Sequence, residues 1–258
     1  MNKYLRLILS LLIATACSDN ISSDPQLKTF SKVFSEVITT GSIDSLFIEN
    51  HHGGIIFTGW GIQETIKITV TKTIRAENQT MADENFHKIQ LQKEQQPGRL
   101  NFLVAYPANS KKLEYEATNV AFELPYHIKL FVSHSNSSVL TDQMNSELNI
   151  EYCAGPVFIH RHLGSCSVYA TNHITADIIL PDNGGYCNLR STTGTIELAI
   201  PETTSATFNA VTFSGNISYE NLGLWTVDLP YRLSGTFGSG SSDINLETQS
   251  GDILITGF

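Results

Sequence analysis

His160 and His162 stand two residues apart around Arg161, and a strand with Val157 and Ile159 inward carries both imidazoles to one outer face. Two such rings begin a metal site, which needs a third or fourth ligand. His173 or Asp177 would be the next groups in reach, but no third ligand is identifiable, and two ordinary surface histidines with no metal are expected. Cys166 and Cys187 are 21 residues apart, each two positions before an expected inward residue, Val168 or Leu189. Stacked on neighbouring strands, they would stand roughly 5 Å apart. That spacing allows a disulfide in an oxidising compartment, or two buried thiols that pack as small apolar groups. Cys153 has no evident partner. The carboxylates Asp177, Asp182, Glu197, Glu202 and Asp243 would have to share one outer lane to do acid and base work on a glycan, and they fall in different phases of the chain's repeat. Gly238 to Asp243 resembles one loose copy of a calcium-binding glycine loop, which works only in tandem, so a plain loop is expected. There is no nucleophile elbow, zinc-binding helix or phosphate loop, and no cofactor is expected.

Strands must position these groups. From Thr29 onward the chain is rich in Val, Ile, Thr, Phe and Tyr in short alternating runs. Segments 45–49, 54–58 and 65–71 read as strands, 80–89 as the one helix, and Gln96-Pro97-Gly98 as the turn of a hairpin. His51 and His52 fall in a turn. From about Ser138, strand-sized units recur every ten residues or so. Over them runs a second pattern, a hydroxyl residue, two residues, Gly, any residue and Ile. It appears at Ser191 to Ile196, Thr212 to Ile217 and Thr248 to Ile253, with Asn50 to Ile55 as a looser copy. Gly53, Gly194, Gly215 and Gly251 are thus expected to be structural turn residues, since Gly accepts a tight corner without steric cost. The expected fold is all-β, a right-handed β-helix or β-solenoid with coils of about 20 residues and one short helix in its amino-terminal part. The alternative is an antiparallel β-sandwich.

The amino terminus reads as an address. Lys3 and Arg6 precede an apolar run from Leu7 to Ala16, too short to span a bilayer, which needs ~20 residues. The residues ending at Cys17 resemble a bacterial lipobox, which implies a signal peptide at 1–16, lipid on Cys17 and a polar tether at 17–28. Ser18 after that Cys points to the outer membrane. The rest divides into an amino-terminal strand region, 29–110, and a repetitive part, 111–258. With 25 Asp+Glu against 16 Lys+Arg, a formal charge of −9 excludes nucleic-acid binding through a basic surface. The 25 Ser, 25 Thr and 18 Asn outnumber the charged residues, so the solvent face is mostly hydroxyls and amides.

Ile48-Glu49-Asn50, Gly53-Gly54-Ile55, the helix and hairpin, Phe122-Glu123-Leu124-Pro125 and the serial Gly-x-Ile elements together resemble the bacterial putative-adhesin family. The resemblance covers nearly all of the chain beyond the tether. It implies a β-helical solenoid carried on an envelope protein, and it brings no catalytic residues. The expected role is a non-catalytic envelope lipoprotein that adheres, binds a glycan or scaffolds the envelope, with the membrane and a glycan or envelope protein as partners. A polysaccharide-active enzyme, or an assembly factor with protein partners, is the alternative.

Overall fold

The computed structural model describes residues 27–61, 64–106, 115–182, 184–223, 225–229 and 231–258. The 1–16 leader, Cys17 and most of the 17–28 tether lie outside them. The chain opens with β1 (Lys28–Thr39), β2 (Ser45–Asn50), β3 (Ile55–Gly59) and β4 (Thr65–Ala76), followed by helix α1 (Gln79–Lys88). The hairpin β5 (Gln90–Gln96) and β6 (Arg99–Ala105) comes next, then β7 (Tyr115–Leu124). Short strands then alternate: β8 (Lys129–Ser135), β9 (Val139–Asp142), β10 (Leu148–Cys153), β11 (Val157–Leu163), β12 (Cys166–Ala170), β13 (Ile174–Ile179), β14 (Tyr186–Ser191) and β15 (Ile196–Ile200). The last six are β16 (Ala206–Thr212), β17 (Ile217–Glu220), β18 (Trp225–Leu229), β19 (Arg232–Phe237), β20 (Ser242–Thr248) and β21 (Ile253–Gly257).

These strands form two sheets. The first, of 10 strands, runs β1-β4-β7-β3-β9-β11-β13-β15-β21-β17, and the second, of 11, runs β18-β19-β16-β20-β14-β12-β10-β8-β2-β6-β5. Alternate residues of both sheets point into one shared core. Ile55, Val139, Val157, Ile174, Ile196 and Ile253 follow one another in register across the first sheet, each fully buried. Burying each such side chain contributes roughly 1.5–3 kcal/mol.

The expected right-handed β-helix is not what the chain builds, and neither is the antiparallel sandwich. The protein has two large mixed sheets, parallel through their middles and antiparallel toward their ends, where β1 pairs β4, β4 pairs β7, β5 pairs β6 and β19 pairs both β16 and β18. The layers also do not follow chain order. β20 lies between β14 and β16, and β21 between β15 and β17. Gly194 and Gly215, 21 residues apart, are therefore not neighbours, because Gly251 lies between them. A Cβ on Gly251 would stand 2.5 Å from the Gly194 carbonyl oxygen, and one on Gly215 2.1 Å from that of Gly251.

The hydroxyl of each repeat has a matching task. In register along the second sheet, Asn50, Ser191, Thr248 and Thr212 occupy the same inward strand-end position. Asn50 Nδ2 donates to the carbonyl of Thr118 at 2.8 Å, Ser191 Oγ to that of Asn172 at 2.8 Å, Thr248 Oγ1 to that of Gly194 at 3.0 Å and Thr212 Oγ1 to that of Gly251 at 2.9 Å. The last three satisfy carbonyls at corners where the backbone has left its ladder, and Asn50 satisfies one within β7.

Helix α1 closes one end. Asn78 caps it, its side chain accepting from the Met81 amide at 3.0 Å, and Ala82 and Phe86 are buried. At the other helix end the buried Lys72 donates from Nζ to the carbonyls of Phe86 at 3.1 Å and Ile89 at 2.6 Å, a cation placed where the helix dipole is negative. Burial, and then the nearby Lys32, push its pKa down. The helix and the hairpin thus stand where the sequence puts them, within a residue or two.

Candidate functional site

The parallel register aligns side chains from distant parts of the chain into straight rows on the outer face of the second sheet. The middle row passes through Asn101, Phe47, Phe131, Asn149, Ser167, Asn188, Asn245 and Asn209, one residue per strand from β6 to β16. Phe47 and Phe131 stack face to face with ring centres 4.3 Å apart, and the Arg99 guanidinium lies 3.4 Å above Phe47. Beyond them the row turns to amides, with Asn245 Nδ2 donating to Asn188 Oδ1 at 3.1 Å. Spacing between strands puts each planar group roughly 4.8 Å from the next.

A second row runs beside it. His51 and His134 have ring centres 4.4 Å apart, His134 and Tyr152 4.8 Å, Tyr152 and Tyr169 5.8 Å, and Arg190 sits 5.6 Å above Tyr169. Arg190 continues to Glu247 at 3.5 Å. Over the amide row lies an open groove of about 550 Å³, floored by Asn149, Ser167, Asn188 and Asn245 and flanked by Tyr169, Arg190 and Glu247. Elsewhere on this sheet Tyr186 Oη donates to Glu147 Oε1 at 2.9 Å, and Lys129 faces Glu147 at 3.6 Å. Burial first, and then the bond and charge of Glu147, push the Tyr186 hydroxyl up to about 12, so it stays a donor at any physiological pH. The groove offers flat apolar faces next to paired donors and acceptors, with no concentrated charge.

No family model matches the chain, and no curated protein matches it. Among solved structures, one described as a putative cell adhesion protein from Clostridium sporogenes is similar with a TM-score of 0.54 at 12% identity, covering 89% of this chain and all, 100%, of that one. That likeness shows the fold. Two more, a putative adhesin from Bacteroides fragilis (TM-score 0.32, 11% identity) and a putative lipid binding protein from Parabacteroides distasonis (0.31, 12%), each align over 88% of this chain and 97% of their own. One protein described as a putative cell adhesion protein is thus among the structures whose fold this chain shares.

The residues singled out from sequence are not brought to one place. His160 and His162 are separated by a bulge in β11, where Arg161 has φ 51° and the register with β13 shifts between Ile159 and His162. The bulge turns His162 into the core, fully buried, while His160 faces outward beside Phe158. Burial pushes the His162 pKa down to about 4. Arg161 closes the bulge from outside, its guanidinium forked onto both carboxylate oxygens of Asp142 and its amide on Asp177 at 3.4 Å. His173 is elsewhere, its Nδ1 accepting from the Thr195 amide at 3.2 Å. No cluster of three or more metal-ligating side chains forms among the described residues.

Cys166 and Cys187 stand directly opposite each other in β12 and β14, both buried, with sulfurs 3.7 Å apart as two thiols. Cys153 is also buried, its Sγ 2.9 Å from the Ser137 carbonyl, and burial pushes its pKa up to about 11. The carboxylates are divided between the sheets. Asp177 and Glu197 are on β13 and β15, Asp182 and Glu202 in the turns after them, and Asp243 on β20 in the other sheet, bonded by Thr207. The Gly238 to Asp243 loop is a tight connection pinned by Ser205, whose Oγ accepts from the amides of Ser239 at 3.0 Å and Ser241 at 3.3 Å. Tyr169, Asn188 and Asn245, which line the groove, and Tyr152, whose ring packs against Tyr169, escape sequence reasoning. Their only signal is that each is a large or amide residue at an outward strand position.

Proposed function

We propose that the outer face of the second sheet binds an extended glycan, and that the protein is a non-catalytic adhesion or scaffolding module of the cell envelope, tethered by lipid on Cys17. The observation that carries this reading is the pair of parallel rows, one of rings and one of amides, that edge and floor an open groove. A sugar ring has apolar faces that lie on aromatic rings and a rim of hydroxyls that exchange hydrogen bonds with amides. Rows that repeat at strand spacing suit a ligand that itself repeats.

The test is a retention screen of the full chain against envelope and host polysaccharides, scored for binding and for released product. Retention without product, lost in a Tyr152→Ala/Tyr169→Ala variant that still melts normally, is expected. Product release would favour the polysaccharide-active alternative. Absence of retention on every glycan, with capture of an envelope protein through the same face, would favour a protein-binding assembly role. For the anchor, Cys17→Ala is expected to move the protein from the membrane to the soluble fraction, and persistence at the membrane would overturn it.

A further inference from the structure

We propose that β1 is a self-association strand, pairing antiparallel with β1 of a second copy about a two-fold axis at Phe34. Each sheet ends in two edge strands. Among the described residues three of these are short: β17 has 4 residues, β18 has 5 and β5 has 7, while charged residues stand on β5 and β1 alike. β1 has 12, without proline, paired to β4 over its whole length with no register shift. Long regular edges of this kind template further strands unless something blunts them. On this one Val33 and Val37 are 63% exposed and Phe34 36%.

Backbone direction and side-chain order together choose the partner. Thr40 donates its amide to Glu64 on the β4 side, so the even-numbered residues of β1 face β4 and the odd-numbered ones, Thr29 to Thr39, direct their N–H and C=O groups to the open edge. A second β1 centred on Phe34 then forms its hydrogen-bonded pairs between odd residues only, Val33 with Ser35, Ser31 with Val37 and Thr29 with Thr39, as the parity demands. The even residues fall opposite one another as Phe34 with Phe34, Phe30 with Ile38 and Lys32 with Glu36. Both charge pairs are of opposite sign, and each extends a contact already in the protomer, since Lys32 faces Asp83 at 3.8 Å and Glu36 is bonded by Lys93. Shifting the axis to Val33 or Ser35 sets Lys32 against Phe34 or Ile38, so one register is favoured. Two copies joined this way would present two grooves, and a repeating ligand would bind such a pair by avidity.

The test uses the full chain expressed in its envelope. Non-hydrogen-bonded antiparallel pairs have Cα atoms about 4.5 Å apart, within disulfide range. Phe34→Cys is expected to give a disulfide-linked homodimer on a non-reducing gel, and Thr29→Cys none, because that residue lies far from its own copy in this register. Ser35→Pro removes an amide that faces only the open edge, a position where proline is tolerated. Added to Phe34→Cys, it is expected to abolish the crosslink while the melting transition stays put. Because the cysteine replaces an aromatic ring, the unsubstituted chain is also sedimented, with a concentration-dependent dimer expected. A monomer at all concentrations, a crosslink that survives Ser35→Pro, or a crosslink to a different protein would each overturn the proposal.

Discussion

Thr248 Oγ1 donates to the carbonyl oxygen of Gly194 at 3.0 Å, tying a corner near the end of the chain to one completed 54 residues earlier. Both groups are buried, so Thr248→Val should leave the Gly194 carbonyl without a partner and cost about 1–3 kcal/mol. Gly251→Ala should cost more, since its Cβ would meet the Gly194 carbonyl oxygen at 2.5 Å and neither backbone can yield without shifting its layer. Denaturant unfolding of the two variants measures both. An alanine variant as stable as the parent would contradict the stacked corner.

His162 sets an acid limit on stability. Its folded pKa of about 4 lies below the ordinary 6.5, so above that value the ring is neutral in both states and stability is level. As pH falls from 6.5 toward 4 the unfolded chain takes up a proton that the folded one refuses, and stability drops by on the order of 3 kcal/mol. Among the described residues neither ring nitrogen makes a well-formed hydrogen bond, so His162→Leu should hold or raise stability at neutral pH and remove this part of the acid slope. Melting temperatures of both proteins between pH 4 and 7 decide it.

The sulfurs of Cys166 and Cys187 lie on facing strands of the core, and the contact with Cys166 together with burial pushes the Cys187 thiol well above its ordinary pKa. Neither thiol should react with iodoacetamide in the native protein, and both should react after denaturation without reductant. Mass spectrometry reads the outcome. A requirement for reductant would mean that the pair is oxidised.

Lys72 holds the carboxyl end of α1 through two backbone carbonyls. Replacing it with Met keeps the stem's packing and removes the charge-assisted bonds, so a loss of about 1.5–3 kcal/mol is expected. Amide hydrogen exchange should show the loss concentrated in 79–89.

Individual elements were legible because their causes are local. Alternation placed the strands from Ser45 to Thr71 and from Val139 to Ile200, and Gln96-Pro97-Gly98 placed a hairpin whose Gly98 has φ 76°. The order of layers was not legible. Ile196, Ile217 and Ile253 follow the same motif and fit the same inward site, so nothing in their spacing says that Ile253 pairs with both of the others. The groove was illegible for a related reason, as its tyrosines and asparagines come from strands up to 96 residues apart, Asn149 to Asn245, and meet only by register. His162 was misplaced because a single left-handed residue, Arg161, reverses the alternation, and that reversal depends on carboxylates from β9 and β13.

By itself, then, the sequence determined the all-β character, the inward apolar lanes, the hydroxyl and glycine at each corner, and a net negative charge. Each follows from the chemistry of a residue and its near neighbours. Only the tertiary structure decided that the last two strands enter between earlier layers, that the sheets are mixed and not one continuous coil, and that rings and amides line a common groove. Those outcomes rest on pairing between distant segments, where several partners satisfy the same local rules and the packing of the whole core selects one.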